Sequence, residues 1–285
     1  MSNYAERDNW SSEQIAHFKH QGVFAPESLP LRRDLAAGIS DQRLVAEGDS
    51  WFDYPPGTDL IDCLRYLGYR IDNFARLGDT LENMVYGNAV GDDYQPAPSS
   101  IDQVLMRIGQ LQPPVFLFSA GGNDVAGDEF ESYLNHRDSG RPHLREDFLD
   151  FMVGTIFRGC YETLIRKVEE VSPNTYIVTH GYGHTLPTGK GVSFLFHTWV
   201  GPWLLPALAK KRITDLEEQK QIVNRLINAL NDLLADLTRS FQRFIYVDLR
   251  PLLDPYTDWV NELHLKNSAY ARAADEIDRV IRALL

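Results

Sequence analysis

Between Leu44 and Leu249, short apolar runs alternate with longer stretches in which apolar residues recur every three or four positions. The short runs are Leu44–Glu47, Arg70–Ala75, Val115–Ser119, Thr175–Thr179 and Phe244–Val247. Each is β-rich and too brief for a helix, so together they predict five strands. The spacing of Leu60, Ile61, Leu64 and Leu67, and of Ile101, Val104, Leu105 and Ile108, predicts amphipathic helices with one core-facing stripe. Further helical runs cover about Leu144–Val171, about Thr214–Phe241, and Ser268 to the last residue. Thr58 and Ser100 precede the first two helices and read as N-caps, whose hydroxyls accept from free backbone amides. Strand–helix alternation with right-handed crossovers describes an α/β chain, a parallel sheet with helices on both faces.

Some segments fall outside this rhythm. The first forty residues are irregular, apart from a short helical pattern around Ser12–His20, and read as an N-terminal arm or a contact in a homo-oligomer. Tyr86–Ser99, rich in Gly, Asp, Pro and Ser, reads as a surface excursion. Val192–Ala209 carries no formal charge, which raises the question of a membrane span. Gly201, Pro202 and Pro206 interrupt it, so it is expected to be covered by protein or to line a pocket as part of an insertion around 181–213. The expectation is one domain over residues 1–285.

Composition narrows the functional classes. The 28 Lys and Arg against 40 Asp and Glu give a formal charge of −12, the wrong sign for gripping nucleic-acid phosphates. The start of the chain lacks the basic and apolar pattern of a signal peptide, which points to the cytoplasm. Cys63 and Cys160 lie in helical patterns without metal-ligand neighbours and are expected as buried free thiols.

The candidate chemistry lies at strand ends. Leu44–Glu47 runs into Gly48-Asp49-Ser50, so Ser50 falls at the carboxyl edge, where open α/β sheets bind ligands. Arg70–Ala75 leads to Gly78, whose bare amide can approach a substrate oxygen. Val115–Ser119 leads through two glycines to Asn123, a side-chain amide able to donate to an oxyanion. After the last strand comes Asp258-Trp259-Val260-Asn261-Glu262-Leu263-His264. Alone, each motif is an ordinary turn, loop or surface histidine; four after successive strands can meet in one crevice as nucleophile, two oxyanion donors and base.

In these four blocks the chain resembles the SGNH (GDSL-like) hydrolases, whose Ser, Gly, Asn and His are matched in order by Ser50, Gly78, Asn123 and His264. The resemblance runs from about Leu44 to the C-terminus. It implies a three-layer α/β/α, flavodoxin-like fold with a five-stranded parallel sheet. It also implies a small-molecule ester or thioester substrate, an oxyanion hole from Ser50, Gly78 and Asn123, and no metal or organic cofactor. Trp51 and Phe52 follow Ser50 where a Gly-x-Ser-x-Gly elbow would need glycine. With Tyr54 they are candidates for the substrate pocket.

The chain departs from the family at position 261, where Asn replaces the usual Asp three residues before the His. Asn261 can hold imidazole geometry but cannot offset its charge. Asp258 is the first candidate for a substitute acid, with Glu262 and Asp248 next; a Ser-His dyad aided by a backbone carbonyl stands beside Asp258. An unperturbed histidine base, with pKa about 6.5, predicts activity rising from acidic to mildly alkaline pH. The missing Asp also suggests a rival, a non-catalytic binding module with the same crevice. An acyltransferase would use the same residues. His180-Gly181-Tyr182-Gly183-His184 has the spacing of a metal site only on a helix, and its glycines favour a loop of hydrogen-bonded histidines.

Overall fold

The computed structural model describes residues 43–54, 57–88, 90, 93–96, 100–194 and 197–285, without the side chains of 193–199. The N-terminal arm, the Ser12–His20 pattern and residues 89, 91–92 and 97–99 of the Tyr86–Ser99 excursion lie outside the described residues.

Five strands form one parallel sheet: β1 (Arg43–Gly48), β2 (Arg70–Asn73), β3 (Val115–Ser119), β4 (Tyr176–His180) and β7 (Phe244–Val247), in the order β2-β1-β3-β4-β7. A separate two-stranded antiparallel sheet contains β5 (Val192–Phe194) and β6 (His197–Val200). Every residue of β3, and β1 after Arg43, is buried, as expected of central parallel strands covered on both faces. All five expected strands are present. The second is shorter than its apolar run because Asn73 turns the chain: its Oδ1 accepts from Ala75 N at 3.2 Å and its Nδ2 donates to Phe52 O at 2.8 Å.

The helices are α1 (Leu60–Tyr66), α2 (Leu81–Tyr86), α3 (Ser100–Leu111), α4 (Glu146–Phe151), α5 (Arg158–Val171), α6 (Leu205–Lys210), α7 (Leu216–Ser240) and α8 (Asn267–Leu284). α1 packs with α8, while α2 and α3 pack with α5. The helical run ending at Val171 is divided between α4 and α5 by one π-helical stretch, Met152–Phe157. Two cap assignments change. Asp59, not Thr58, caps α1 and accepts from Asp62 N, and Ser100 is already the first helical residue of α3. A carboxylate directly before Leu60 outcompetes a hydroxyl one position further out. Helix α2 was not in the sequence expectation; Thr80 caps it, and Leu81, Met84 and Val85 bury its inner face.

The uncharged Val192–Ala209 segment becomes the two-stranded sheet, a turn with a cis Gly201–Pro202 bond, and the start of α6. No described helix is long and apolar enough to cross a membrane. Cys63 and Cys160 are buried free thiols, and burial raises the pKa of both, Cys160 to about 11.

Candidate active site

The turn that carries the candidate nucleophile Ser50, the nucleophile turn below, begins where the backbones of β1 and β3 lie close together. A Cβ on Gly48 would lie 2.8 Å from Ser119 Cβ and 2.9 Å from its carbonyl oxygen, so only glycine fits. The chain then turns around Asp49. Its Oδ1 accepts from Trp51 N at 2.9 Å and from Ser119 Oγ at 2.8 Å, and its Oδ2 accepts a short hydrogen bond from Tyr182. Burial raises the Asp49 pKa to about 6, although these donors pull the other way. Ser50 follows this anchored carboxyl group.

The loop that carries the candidate base His264, the base loop below, is organised by Asn261. Its Oδ1 accepts from Leu263 N at 3.0 Å and His264 N at 2.8 Å, and lies 3.0 Å from His264 Nδ1. Backbone amides can only donate, so the atom facing them is the oxygen. The same oxygen then requires a proton on Nδ1. Nε2 is therefore left with its lone pair, and it lies 2.8 Å from Ser50 Oγ. Tyr54 stacks on the imidazole, with ring centroids 4.0 Å apart and an interplanar angle of 17°. Trp203 meets the imidazole edge-on at 5.4 Å. Burial lowers the His264 pKa to about 3. This replaces the expectation built on an unperturbed 6.5: the ring is already neutral in mildly acidic solution, so activity depending on it should be level through neutral pH.

The three carboxylates weighed as substitute acids are engaged elsewhere. Asp258 accepts from Arg272 at 2.6 Å and from Asp254 N at 2.8 Å, and these partners lower its pKa. Asp248 is bound by Arg250. Glu262, fully buried, accepts from the backbone amides of Gly189 (2.8 Å), Trp203 (2.6 Å), Leu204 (2.6 Å) and Leu205 (3.1 Å). Thus Asp258, the first choice, does not bend toward the ring, because the guanidinium on α8 holds it. The ring partner is Asn261. Glu262 has a different position: it clamps the segment from Gly189 to the start of α6 onto the base loop.

Two of the oxyanion candidates, Gly78 and Asn123, lie on loops that are stitched together. Asn123 Nδ2 donates to Asp79 O at 2.8 Å, and Asp124 accepts from Leu81 N at 2.9 Å. Gly78, at φ 80°, occupies the left-handed region that favours glycine. One Asn123 amide hydrogen is committed to Asp79, leaving its second hydrogen and the Ser50 and Gly78 amides as donors.

The proposed pocket aromatics divide. Trp51 borders an apolar cavity beside Ser50, and its Nε1 donates to Leu263 O at 3.0 Å, linking the nucleophile turn to the base loop. Phe52 packs into the core near His180 and is not a pocket residue. Tyr54 supports the imidazole instead of lining that cavity.

The His-Gly-Tyr-Gly-His loop has no helical geometry. His180 ends β4 and stacks on Trp51 at 5.1 Å, while His184 Nε2 pairs with Asn228 Oδ1 at 2.9 Å. No cluster of three or more potential metal ligands occurs among the described residues. The residue sequence reasoning missed here is Tyr182, which bonds Asp49 and packs against the backbone of Gly122. Its only signal was an aromatic between glycines after a strand.

The sequence matches no family model, and no curated protein matches it. Among solved structures, the chain is similar to the periplasmic domain of a lipopolysaccharide acetyltransferase from Salmonella ser. Paratyphi A. That likeness has a TM-score of 0.52 and 13% identity, over 98% of this chain and 99% of the other. A lipase from a goat rumen metagenome gives a TM-score of 0.50 and 10% identity, over 84% of this chain and 97% of the lipase. At these identities the likeness is one of fold alone: a three-layer α/β/α architecture around a five-stranded parallel sheet, as expected from the sequence.

Proposed function

We propose that this chain is a serine hydrolase that cleaves carboxylic esters or thioesters through an acyl-enzyme on Ser50. The observation that carries this reading is the 2.8 Å contact between Ser50 Oγ and a His264 Nε2 left free to accept a proton. The fold it shares with a lipase and an acetyltransferase domain supports acyl chemistry in general.

Ser50 Oγ attacks the carbonyl carbon while its proton passes to Nε2. The charge that develops on the carbonyl oxygen meets the amides of Ser50 and Gly78 and the side chain of Asn123, each donor worth about 3 kcal/mol in the transition state. The imidazolium returns the proton to the departing alkoxide or thiolate. A water, deprotonated by Nε2, then releases the acid and restores Ser50. Asn261 keeps Nδ1–H pointed away from the serine throughout. It does so as a neutral acceptor, a positioning role without charge compensation.

A fluorophosphonate probe tests this. Covalent labelling of the wild type, abolished in Ser50→Ala together with a loss of about 10⁴-fold or more in kcat/KM on an activated ester, is the expected result. No labelling between about pH 5 and pH 9 would instead favour a binding module that retains the crevice. With labelling in hand, an added alcohol acceptor separates hydrolysis from acyl transfer by the product formed.

A further inference from the structure

The cavity beside Ser50 is a narrow one: about 60 Å³ of it can hold the centre of a water-sized sphere, room for a file of roughly four to six methylene-sized groups at about 10–15 Å³ each. Its walls come from distant parts of the chain. Val223, Leu226, Ile227 and Leu230 follow one another at i, i+3, i+4 and i+7 on α7 and present one apolar stripe. Leu204 and Leu263 add to the wall from the clamped segment and the base loop. Ser50 and Asn123 also line it.

The polar side chains on the remaining wall are occupied by protein partners. Asp49 holds Trp51, Ser119 and Tyr182; Thr185 Oγ1 donates to Glu262 O at 3.0 Å; and the Glu262 carboxylate is bound by four amides. The indole N–H of Trp259 is buried without a partner, and a single donor cannot solvate a polar chain. A sugar or charged group placed here would leave most of its hydrogen bonds unmade, whereas a hydrocarbon would leave none.

The position of the base sets which half of the ester enters. The leaving oxygen must take its proton from His264 Nε2, and His264 is not among the residues that line the cavity. The alcohol or thiol portion therefore stays on the imidazole side of Ser50, and the opposite substituent of the carbonyl carbon faces the α7 stripe.

Resting on the hydrolase reading above, we propose that this cavity is an acyl-chain subsite, which makes the substrates esters or thioesters of medium-length aliphatic acids rather than acetyl esters, with the α7 stripe as the selectivity element. The chain remains there in the acyl-enzyme while the leaving group departs past His264.

The test is a p-nitrophenyl ester series from acetyl to dodecanoyl, with one leaving group throughout. kcat/KM is expected to rise about fourfold per methylene, the factor equivalent to about 0.8 kcal/mol per buried CH₂, and then to fall once the cavity is full. Ile227→Trp, a change at a half-buried wall position, is expected to lower the octanoyl-to-acetyl ratio by at least tenfold. Val223→Ala is expected to move the optimum to a longer chain. A wild-type ratio near one with acetyl ester turned over would overturn the subsite, as would a preference that follows the alcohol length of acetate esters. Loss of all hydrolysis together with absent labelling of Ser50 would overturn the hydrolase reading instead.

Discussion

The nucleophile turn and the base loop solve the same problem with different chemistry. Each must hold an irregular stretch of chain so that one side chain points at the other, and each does so around one buried acceptor side chain, which takes one amide and two hydroxyls at Asp49 and two amides and the imidazole at Asn261. At the nucleophile that side chain is Asp49, an ionisable group whose pKa burial raises to about 6. At the base it is Asn261, which is neutral at every pH. The sensitivity of the site to protons is thereby moved from the expected place, the imidazole, to the carboxyl group that shapes the serine turn.

Removing Asp49 should break this comparison most severely. Asp49→Ala strands the Trp51 amide, the Ser119 hydroxyl and the Tyr182 hydroxyl in the interior. At about 1–3 kcal/mol for each stranded donor, with partial relaxation, denaturant unfolding should show a loss of roughly 3–5 kcal/mol. Asp49→Asn keeps most of the shape and isolates the charge. Because the folded-state pKa lies above the ordinary value near 3.9, native protein binds this proton between about pH 6 and pH 4 while the unfolded chain does not. Asp49 therefore adds stability as pH falls through that window. His264 acts in the opposite sense: its pKa is depressed to about 3, so the unfolded chain takes up its proton first, and stability declines as pH falls from about 6.5 toward 3. Without the Asp49 contribution, the Asn variant should lose stability more steeply than wild type between pH 6 and pH 4. An unchanged slope would remove Asp49 from this account.

An intermediate effect is expected at Glu262, which joins the base loop to the segment leading into α6. Glu262→Gln replaces one oxygen that accepts from backbone amides with a group that donates toward them. A stability loss of about 2 kcal/mol, read as a lower unfolding midpoint, is expected. A change below about 0.5 kcal/mol would mean that the four amides find other partners and that the clamp does not hold the loop.

The smallest effect should come from supplying the acid that position 261 lacks. Asn261→Asp sets a carboxylate against Nδ1, which raises the imidazole pKa and favours the imidazolium formed during acylation. The acid limb of kcat/KM should move to higher pH than in wild type, and the rate at pH 8 should increase about tenfold. If the limb stays where it is, burial is not what holds the wild-type base neutral.

Much of this was legible in the sequence because it is periodic or local. Parallel strands buried on both faces read as apolar runs, and helices read as stripes, so the sheet and the six described helices other than α2 and α6 were accessible. Helices α2 and α6 were not, since six residues give too short a stripe. Ser50, Gly78, Asn123 and His264 were legible as strand-end blocks in order. The ranking of Asp258 over Asn261 failed because it treated the loop as free to bend. The competing attraction, Arg272 on α8, lies fourteen residues away and carries no local signal. Tyr182 and the four amides held by Glu262 were hidden for the same reason, being tertiary partners separated by 133 and by 57 to 73 positions.

The two buried thiols have a practical consequence. Cys63 and Cys160 are about 2% exposed, and their raised pKa values keep the reactive thiolate scarce near neutrality. A maleimide should find them only when the surrounding helices open, so their alkylation rate becomes a clock for that opening. A fluorophore cysteine introduced at an exposed position could be attached selectively while both native residues remain in place.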